Sequence, residues 1–568
     1  MSLSGALQIG RSGLLASQAA IEVTGNNLAN VGTRGYHRQT IELAPDGVSK
    51  IRDGLFRGRG VQIESITRQI NEALEARLRG SISDESRTAI RQGVLEQLEA
   101  IQNELSGIDL STRLSEFFNA FSNLANNPQD NSLRTLAVQE STRLASFMNN
   151  LRQSYAGLRD QLDAAAGAGA VAASDLLTRI EQVTMQIIKA EGAQGGAAGL
   201  RDERDVLLSE LSRYLDVSVQ EHPSGAVDLF IGSKPIMLAG KSRGVELRTR
   251  TIEGETVTDI VISADKDPLD ISSGELGALI AARNVDVKDA FDALDSFVHE
   301  FIFQVNKVHS TGQGLAGFTT LSSTAKVLDE NAVLDSEEAG LDFAPTNGSF
   351  LVHITDKTTG QRTTTQIDID LDDVDAANNS TLADLITALD GVTNLTASLG
   401  PGRELVLATD AANYELSFSE DSSGVLAALG VGTLFTGTDA FDVAVNQLIA
   451  ANPKFVAAAQ GHLPGDNRNA LALADLRTTR LESAGGLTLT EMWSRHVEDL
   501  AIRHAQTKGQ LEADGIVRQN LEAQQQSVSG VNADEEAINL LAYQRMYQAS
   551  ARFLSVVDEM MQTLISIV

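Results

Sequence analysis

Both ends of this 568-residue chain carry a seven-residue apolar repeat, and nothing else in the sequence constrains the fold as strongly. Near the start, Leu7, Leu14, Ile21 and Leu28 recur every seven residues. Leu3, Gly10, Ser17, Thr24 and Val31 fill the alternate seam, so a Leu/Ile line runs beside a line of mostly small residues. Near the end, Leu540, Tyr547, Leu554, Met561 and Val568 repeat in the same way, with Tyr543, Val557 and Leu564 three residues on. Met546, Phe553, Met560 and Ile567 form a third parallel line, which makes this face wider than a two-helix seam and able to touch more than one neighbour. The N-terminal helix can pack on its own domain, or against a helix from elsewhere in the chain or another subunit. The economical solution is that the two end helices pack together, making the first and last segments one discontinuous domain.

The length calls for several domains, and 42% apolar with 21% charged residues fits a folded chain. No apolar run approaches the ~20 residues of a membrane helix. There are no cysteines, which excludes disulfides, thiolate catalysis, zinc–thiolate sites and iron–sulfur clusters. The net charge of −31 argues against a general nucleic-acid binder. Its distribution is uneven: residues 313–440 hold four basic and twenty acidic groups, whereas residues 1–80 hold ten basic and seven acidic. The start has no basic n-region, so no secretory signal is expected.

Between the ends the pattern is mainly helical. Helices are expected from near Thr67 through Val94, Leu98, Ile101 and Leu105, from about Ser111 to Ala166 with a break at Asn126–Asp130, and from Ser174 to Tyr214. The Gly/Ala-rich patches at 164–173 and 192–199 read as connections. Another helix is expected around Leu294–Val308, and more helix between Asn467 and Gln526. Short alternating runs from Val217 to Ser263 read as strands. From 313 to 440, Phe350–Thr355, Thr363–Leu371, Glu404–Thr409 and Tyr414–Ser419 read as strands, and Thr381–Leu389 and Ser422–Leu429 as short helices. The fold class is therefore mainly α with α+β insertions. Three parts are expected: 1–45 with 526–568 as a coiled-coil-like terminal-helix assembly domain, 46–312 with 441–525 as a helical bundle carrying a β excursion at about 214–263, and 313–440 as an acidic α+β insertion.

Catalytic and metal signatures are sparse. No Walker A or H-E-x-x-H pattern occurs. His299 and His309 are ten residues apart and make no local zinc pair; His496 and His504 read as solvated. The run Asp368–Asp375 lacks the glycine and closing glutamate of a calcium loop and reads as a strand with Asp on its wet face. Gly400-Pro401-Gly402 reads as a turn. Arg52, Arg57 and Arg59 cluster in a Gly-rich segment, either a solvated loop or a contact with an acidic neighbour. No catalytic residue, cofactor or metal is expected. The stretch Asn26-Asn27-Leu28-Ala29-Asn30-Val31-Gly32-Thr33-Arg34-Gly35-Tyr36-His37-Arg38-Gln39 reads physically as a helix stop, with Asn30 or Gly32 able to take a left-handed cap and Gly35 a further turn.

That stretch resembles the N-terminal signature of the bacterial flagellar rod, hook and hook-associated proteins, through Asn26, Asn27, Ala29, Asn30, Thr33, Gly35 and Tyr36. The C-terminal run from Ser529 to Ala537 and on through Tyr543-Gln544-Arg545-Met546-Tyr547-Gln548-Ala549-Ser550-Ala551-Arg552 resembles the closing helix of the same family. Gly32, Arg34 and His37 depart from the residues usual at those positions. The resemblance implies a structural, non-enzymatic flagellum component at the hook–filament junction; the alternative is a sibling hook or distal-rod component. It implies a ring-like homo-oligomer, contacts with hook protein and with a second junction protein or filament, type III export to the extracellular hook, and a cytoplasmic chaperone on the C-terminal helix. The assembly interface would comprise Leu7, Leu14, Ile21, Leu28, Asn26, Asn27, Asn30, Gly35 and Tyr36 with Leu540, Tyr543, Met546, Tyr547, Phe553, Leu554, Val557, Met560, Met561 and Leu564. The end helices are expected to order only when neighbours bury them. An enzyme or glycan-binding role for the insertion has only the Asp-rich strand behind it.

Overall fold

The computed structural model describes residues 3–52, 55–104, 107–191, 197–252, 255–372, 379–461, 463 and 465–567. Leu105, residues 192–196, Asp373–Asp375 and Val568 lie outside the described residues, as do the side chains of Arg52 and Ile567. The chain is mainly helical, with several small antiparallel sheets. It divides into two compact units, one of residues 1–94, 161–284 and 505–568, the other of residues 95–160 and 285–504.

In chain order, the first elements are α1 (Leu3–Ala29) and four strands, β1 (Gln39–Pro45), β2 (Val48–Arg52), β3 (Leu55–Gly58) and β4 (Val61–Arg68). Four helices follow: α2 (Glu72–Gln102), α3 (Leu110–Asn126), α4 (Asn131–Glu191) and α5 (Ala198–Tyr214). Next come β5 (Ser218–Glu221), β6 (Val227–Ile231), β7 (Lys234–Leu238) and β8 (Lys241–Ser242), then β9 (Val245–Ile252) and β10 (Glu255–Ile262). Helix α6 (Gly274–Ala281) passes through a π-helical turn (Ala282–Asp286) into α7 (Val287–His309). The insertion holds β11 (Thr320–Ser322), β12 (Gly348–Asp356), β13 (Arg362–Ile369), α8 (Leu382–Asp390), β14 (Leu395–Leu399), β15 (Leu405–Thr409), β16 (Tyr414–Ser419) and α9 (Val425–Leu429). The chain closes with β17 (Phe435–Thr436), β18 (Ala444–Val445), α10 (Gln447–Ala451), α11 (Arg468–Asp475), α12 (Leu489–Ser529) and α13 (Ala533–Ile567).

In the first unit α1 and α13 pack along each other. Strands β1 to β4 form a two-part antiparallel ribbon: β1 pairs β4 from Gln39↔Arg68 to Pro45↔Val61, and β2 pairs β3. The arginine cluster expected in a loop is thus carried on and between ribbon strands, and Arg57 lies against Gly5 of α1. Thr67 belongs to β4; helix α2 starts at Glu72 because the Asn71 side chain caps the Leu74 N–H at 3.1 Å. The patch at 164–173 is no connection but the interior of the 61-residue α4. Small residues there admit close neighbours: a Cβ on Gly169 would meet Leu276 Cδ2 at 2.9 Å. Tertiary packing overrides the glycines' weak helix propensity. Polar rungs join α2 to α12: Gln525 to Glu75 at 2.7 Å, Arg518 to Glu85, and Thr88 to Asp514 at 2.7 Å.

The second unit has an aromatic core. Phe117 packs on Phe118, Phe121, Phe301 and Phe435, and Phe297 bridges Phe301 to Trp493. Asp109 caps α3 through the Thr112 N–H at 2.7 Å, and the Asn126–Asp130 break separates α3 from α4 as its residues predict. The insertion folds around sheets β13–β12–β16 and β11–β15–β14. Its core includes Phe350, Val352, Ile354, Ile367, Ile369, Leu407, Leu416 and Phe418. Ile367, Ile369 and Leu371 point inward while Asp368 and Asp372 are exposed, so the described part of the Asp run is the alternating strand and its continuation. Strand β14 had no clear sequence signal, and Gly400-Pro401-Gly402 is the turn between it and β15.

Candidate assembly site at the paired termini

The α1–α13 seam is antiparallel. Ideal Cβ atoms on Gly10 and Gly13 point at Leu554 (2.9 Å) and Ser550 (3.0 Å), while Asn27 meets Glu536. The face of α1 that disappears is its small-residue line: Gly10, Ala16, Ser17, Ala20, Val23, Thr24 and Asn27 are buried. Gly10 is needed there, because any side chain would strike Leu554 and Phe553. Leu7, Leu14 and Ile21 are half-buried and Leu28 is exposed. On α13, Val557 is buried at 4% exposure, and Leu540, Tyr543, Leu554 and Met561 are half-buried. Met546, Tyr547, Phe553, Met560 and Leu564 are exposed, Met560 at 56%. Ile538, Leu541, Val556 and Ile565 join them, so much of the apolar surface of α13 has no cover.

At the other end of the seam a polar network closes the pair. Asn27 uses all four bonds of its amide. Its Oδ1 accepts from the Gln39 N–H (2.9 Å) and Tyr36 hydroxyl (2.8 Å). Its Nδ2 donates to the Gln39 carbonyl (2.8 Å) and Glu536 Oε2 (3.0 Å). Glu536, in the first turn of α13 and 2% exposed, also accepts from Arg38 Nε at 2.8 Å. Arg38 reaches Glu535 at 2.9 Å, and its backbone N–H donates to the Ser529 carbonyl at the end of α12. Asn26 donates to the Tyr36 hydroxyl at 3.2 Å. Burial, with Asp202 and Glu536 nearby, pushes the Tyr36 phenol up to about 12. Asn30 bonds back to the Asn26 carbonyl at 2.9 Å and receives the Thr33 hydroxyl at 3.1 Å. Neither Asn30 nor Gly32 takes the left-handed conformation; Gly35 does, at φ +77°, and a Cβ there would strike Val206. The Asn-rich stretch is therefore a junction as well as a helix stop. The sequence showed Asn27 and Tyr36, but not that Glu536 is the distant partner of Asn27.

One residue along, the chain turns its side chain the other way. His37, 3% exposed, places Nδ1 2.8 Å from Asp202 Oδ1 and Nε2 3.5 Å from Glu75 Oε1. Arg68 donates to Asp202 (2.8 Å) and Asp205 (2.7 Å). His37, Asp202 and Asp205 bring three potential ligand atoms together, but Arg68 fills the space between the carboxylates and makes an ion-pair knot of them. Burial opposes charge on His37, yet the carboxylates of Asp202, Glu75 and Asp205 outweigh it and raise its pKa to about 9.

The other histidines singled out in the sequence have structural partners. Buried His309 bonds the Gly432 carbonyl through Nδ1 and receives the Ala457 N–H on Nε2; burial lowers it to about 4. His299 Nδ1 meets the Thr438 carbonyl at 2.9 Å. His496 and His504 are not solvated as expected: they bond Gln102 (3.0 Å) and Glu99 (2.7 Å) where α12 lies beside α2 in the second unit.

Comparisons with known proteins agree with both ends of the chain. Residues 7–37 match the flagella basal body rod protein family, and residues 524–567 match the C-terminal family of the flagellar basal body rod FlgEFG proteins. Both ends are therefore similar to segments of flagellar rod proteins. Residues 95–321 match the helical domain of flagellar hook-associated protein FlgK. Flagellar hook-associated protein 1 of Escherichia coli K12 is 26% identical over 579 residues, covering 98% of each chain. That of Bacillus subtilis 168 is 23% identical, covering 99% of this chain and 97% of its own. The solved flagellar hook junction protein FlgK from Burkholderia pseudomallei covers 80% of this chain and all of its own, with 17% identity and a TM-score of 0.49. The chain is thus similar to flagellar hook-associated protein 1 over nearly its whole length.

Proposed function

We propose that this protein is a structural component of the bacterial flagellum that joins hook to filament by associating with copies of itself through its terminal helices. The observation that carries the reading is the uncovered apolar surface of α13, beside a seam that uses only part of it. Phe553, Met560, Leu564 and Ile565 are already partly covered, so completing their burial would contribute roughly 1–2 kcal/mol each, before the cost of association. The paired termini serve as the assembly element, the helical body as its support, and the acidic 313–440 insertion as an outer surface. Hook protein, and a second junction protein or filament subunit, are the partners on either side. Before export by the type III route, a cytoplasmic chaperone covers the open face of α13. The role is structural rather than catalytic.

Removing residues 530–568 tests this. The truncated chain keeps its insertion folded but no longer supports filaments on hooks or binds a chaperone. Truncated protein that still built filaments would refute the reading. Localisation at the hook tip, rather than along the hook, separates it from a sibling axial protein.

A further inference from the structure

The segment Tyr36–Gln39 stands between two polar clusters, and its side chains alternate between them. Tyr36 and Arg38 face the α1–α13 junction, through Asn27 and Glu536. His37 faces the body of the first unit, between Asp202 of α5 and Glu75 of α2. We infer that His37 is a positioning residue held as an imidazolium, and that its charge seats this segment and thereby fixes where α13 starts against α1.

Three observations carry it. His37 is buried; Nδ1 is within hydrogen-bond distance of Asp202, and Nε2, which has no hydrogen-bond partner, has the Glu75 carboxylate 3.5 Å away, a surrounding that favours a positive ring over a neutral one. The charged groups around it come from three packed elements: Asp202 and Asp205 from α5, Glu75 from α2, and Arg68 from β4 on the two aspartates; Arg79, Glu72 and Arg204 lie one step further out, and Gln525 of α12 holds Glu75 at 2.7 Å. A cationic His37 adds a positive charge beside three carboxylates, only two of which Arg68 pairs directly; a neutral ring removes it. Finally, the neighbouring backbone is tied to α1 and to the end of α12 just before α13, since the Gln39 N–H donates to Asn27 and the Arg38 N–H to Ser529. A shift of His37 must move those bonds.

The test uses the full chain and does not depend on assembly, so it stands apart from the junction role above. Histidine ring resonances are followed from pH 5 to pH 11, with the His37 ring assigned through its own backbone resonances in the wild-type chain. Amide exchange of Arg38 and Gln39, corrected for intrinsic base catalysis, is measured at pH 7 and pH 10. His37 is expected to titrate near 9. Protection of the two amides should fall about tenfold or more across that range. In His37→Gln it should be low at pH 7 and flat with pH. A His37 that is neutral at pH 7 would overturn the inference. So would wild-type protection that does not change with pH, or a His37→Gln chain with the wild-type profile. The wild-type titration decides the matter even if the variant fails to fold.

Discussion

The inserted domain and the terminal helix pair solve the same problem in opposite ways. The insertion wraps two three-stranded sheets and short helices around its own core, so that Phe350, Val352 and Leu416 are fully buried. The α1–α13 pair joins a small-residue line to a broad apolar face, and on α13 only Val557 is a buried apolar residue among those described. One region is finished by its own chain. The other keeps apolar surface in reserve, which a monomer rarely does without a partner to cover it. The acidic excess follows the same division, since it gathers on the self-sufficient region, where charge stays solvated.

Substitutions can break this contrast from either side. Phe350→Ala removes a wholly buried ring and should cost about 3–5 kcal/mol of stability, seen as an earlier melt of the insertion. Flagellar assembly should survive it; if assembly failed first, the two regions would not be separable. Asn27→Ala leaves the Tyr36 hydroxyl, the Gln39 backbone and Glu536 short of partners, at about 2–3 kcal/mol. Hydrogen exchange in the first turns of α13 should quicken, and unchanged exchange would show that the junction does not hold the helix.

Alkaline pH gives a related effect. The folded pKa of His37 is raised to about 9 from its ordinary 6.5, so its contribution is complete below 6.5 and is lost as pH rises through 9. The loss is on the order of 2–3 kcal/mol. Denaturant titrations at pH 7 and pH 10 should differ by that amount in wild type and much less in His37→Gln. Gly10→Val forces a side chain into Leu554 and Phe553 and should cost about 1–2 kcal/mol of helix pairing, measured by thermal melting. The smallest effect on the monomer is the most telling. Met560→Ser and Ile565→Ser touch exposed side chains and should change its stability by less than about 0.5 kcal/mol. The same variants should impair assembly; if polymerisation were normal, the open face would have no role in it.

The comparison also marks what could be read without coordinates. The helices at both ends, the break at Asn126–Asp130 and the alternation in β13 were legible, because periodicity and turn chemistry are local. The continuity of α4 through its glycines was not, because Leu276 and its neighbours on other elements hold that stretch in place. The ribbon β1–β4 was missed for a similar reason: pairing between residues 39 and 68 leaves little local trace in a Gly- and Arg-rich stretch.

At the candidate site the division is sharper. Sequence alone determined that both termini are amphipathic helices with a seven-residue repeat, and that an Asn-rich turn follows the first. Which line of α1 is covered was decided only by the close approach of α13 at Gly10, since backbone proximity favours small residues over a Leu stripe that stays half-exposed. The pairings of Asn27 with Glu536 and of His37 with Asp202 likewise arose only in three dimensions. Hydrogen bonds and ion pairs depend on distances between atoms, and residues hundreds of positions apart acquire those distances only when the chain closes on itself.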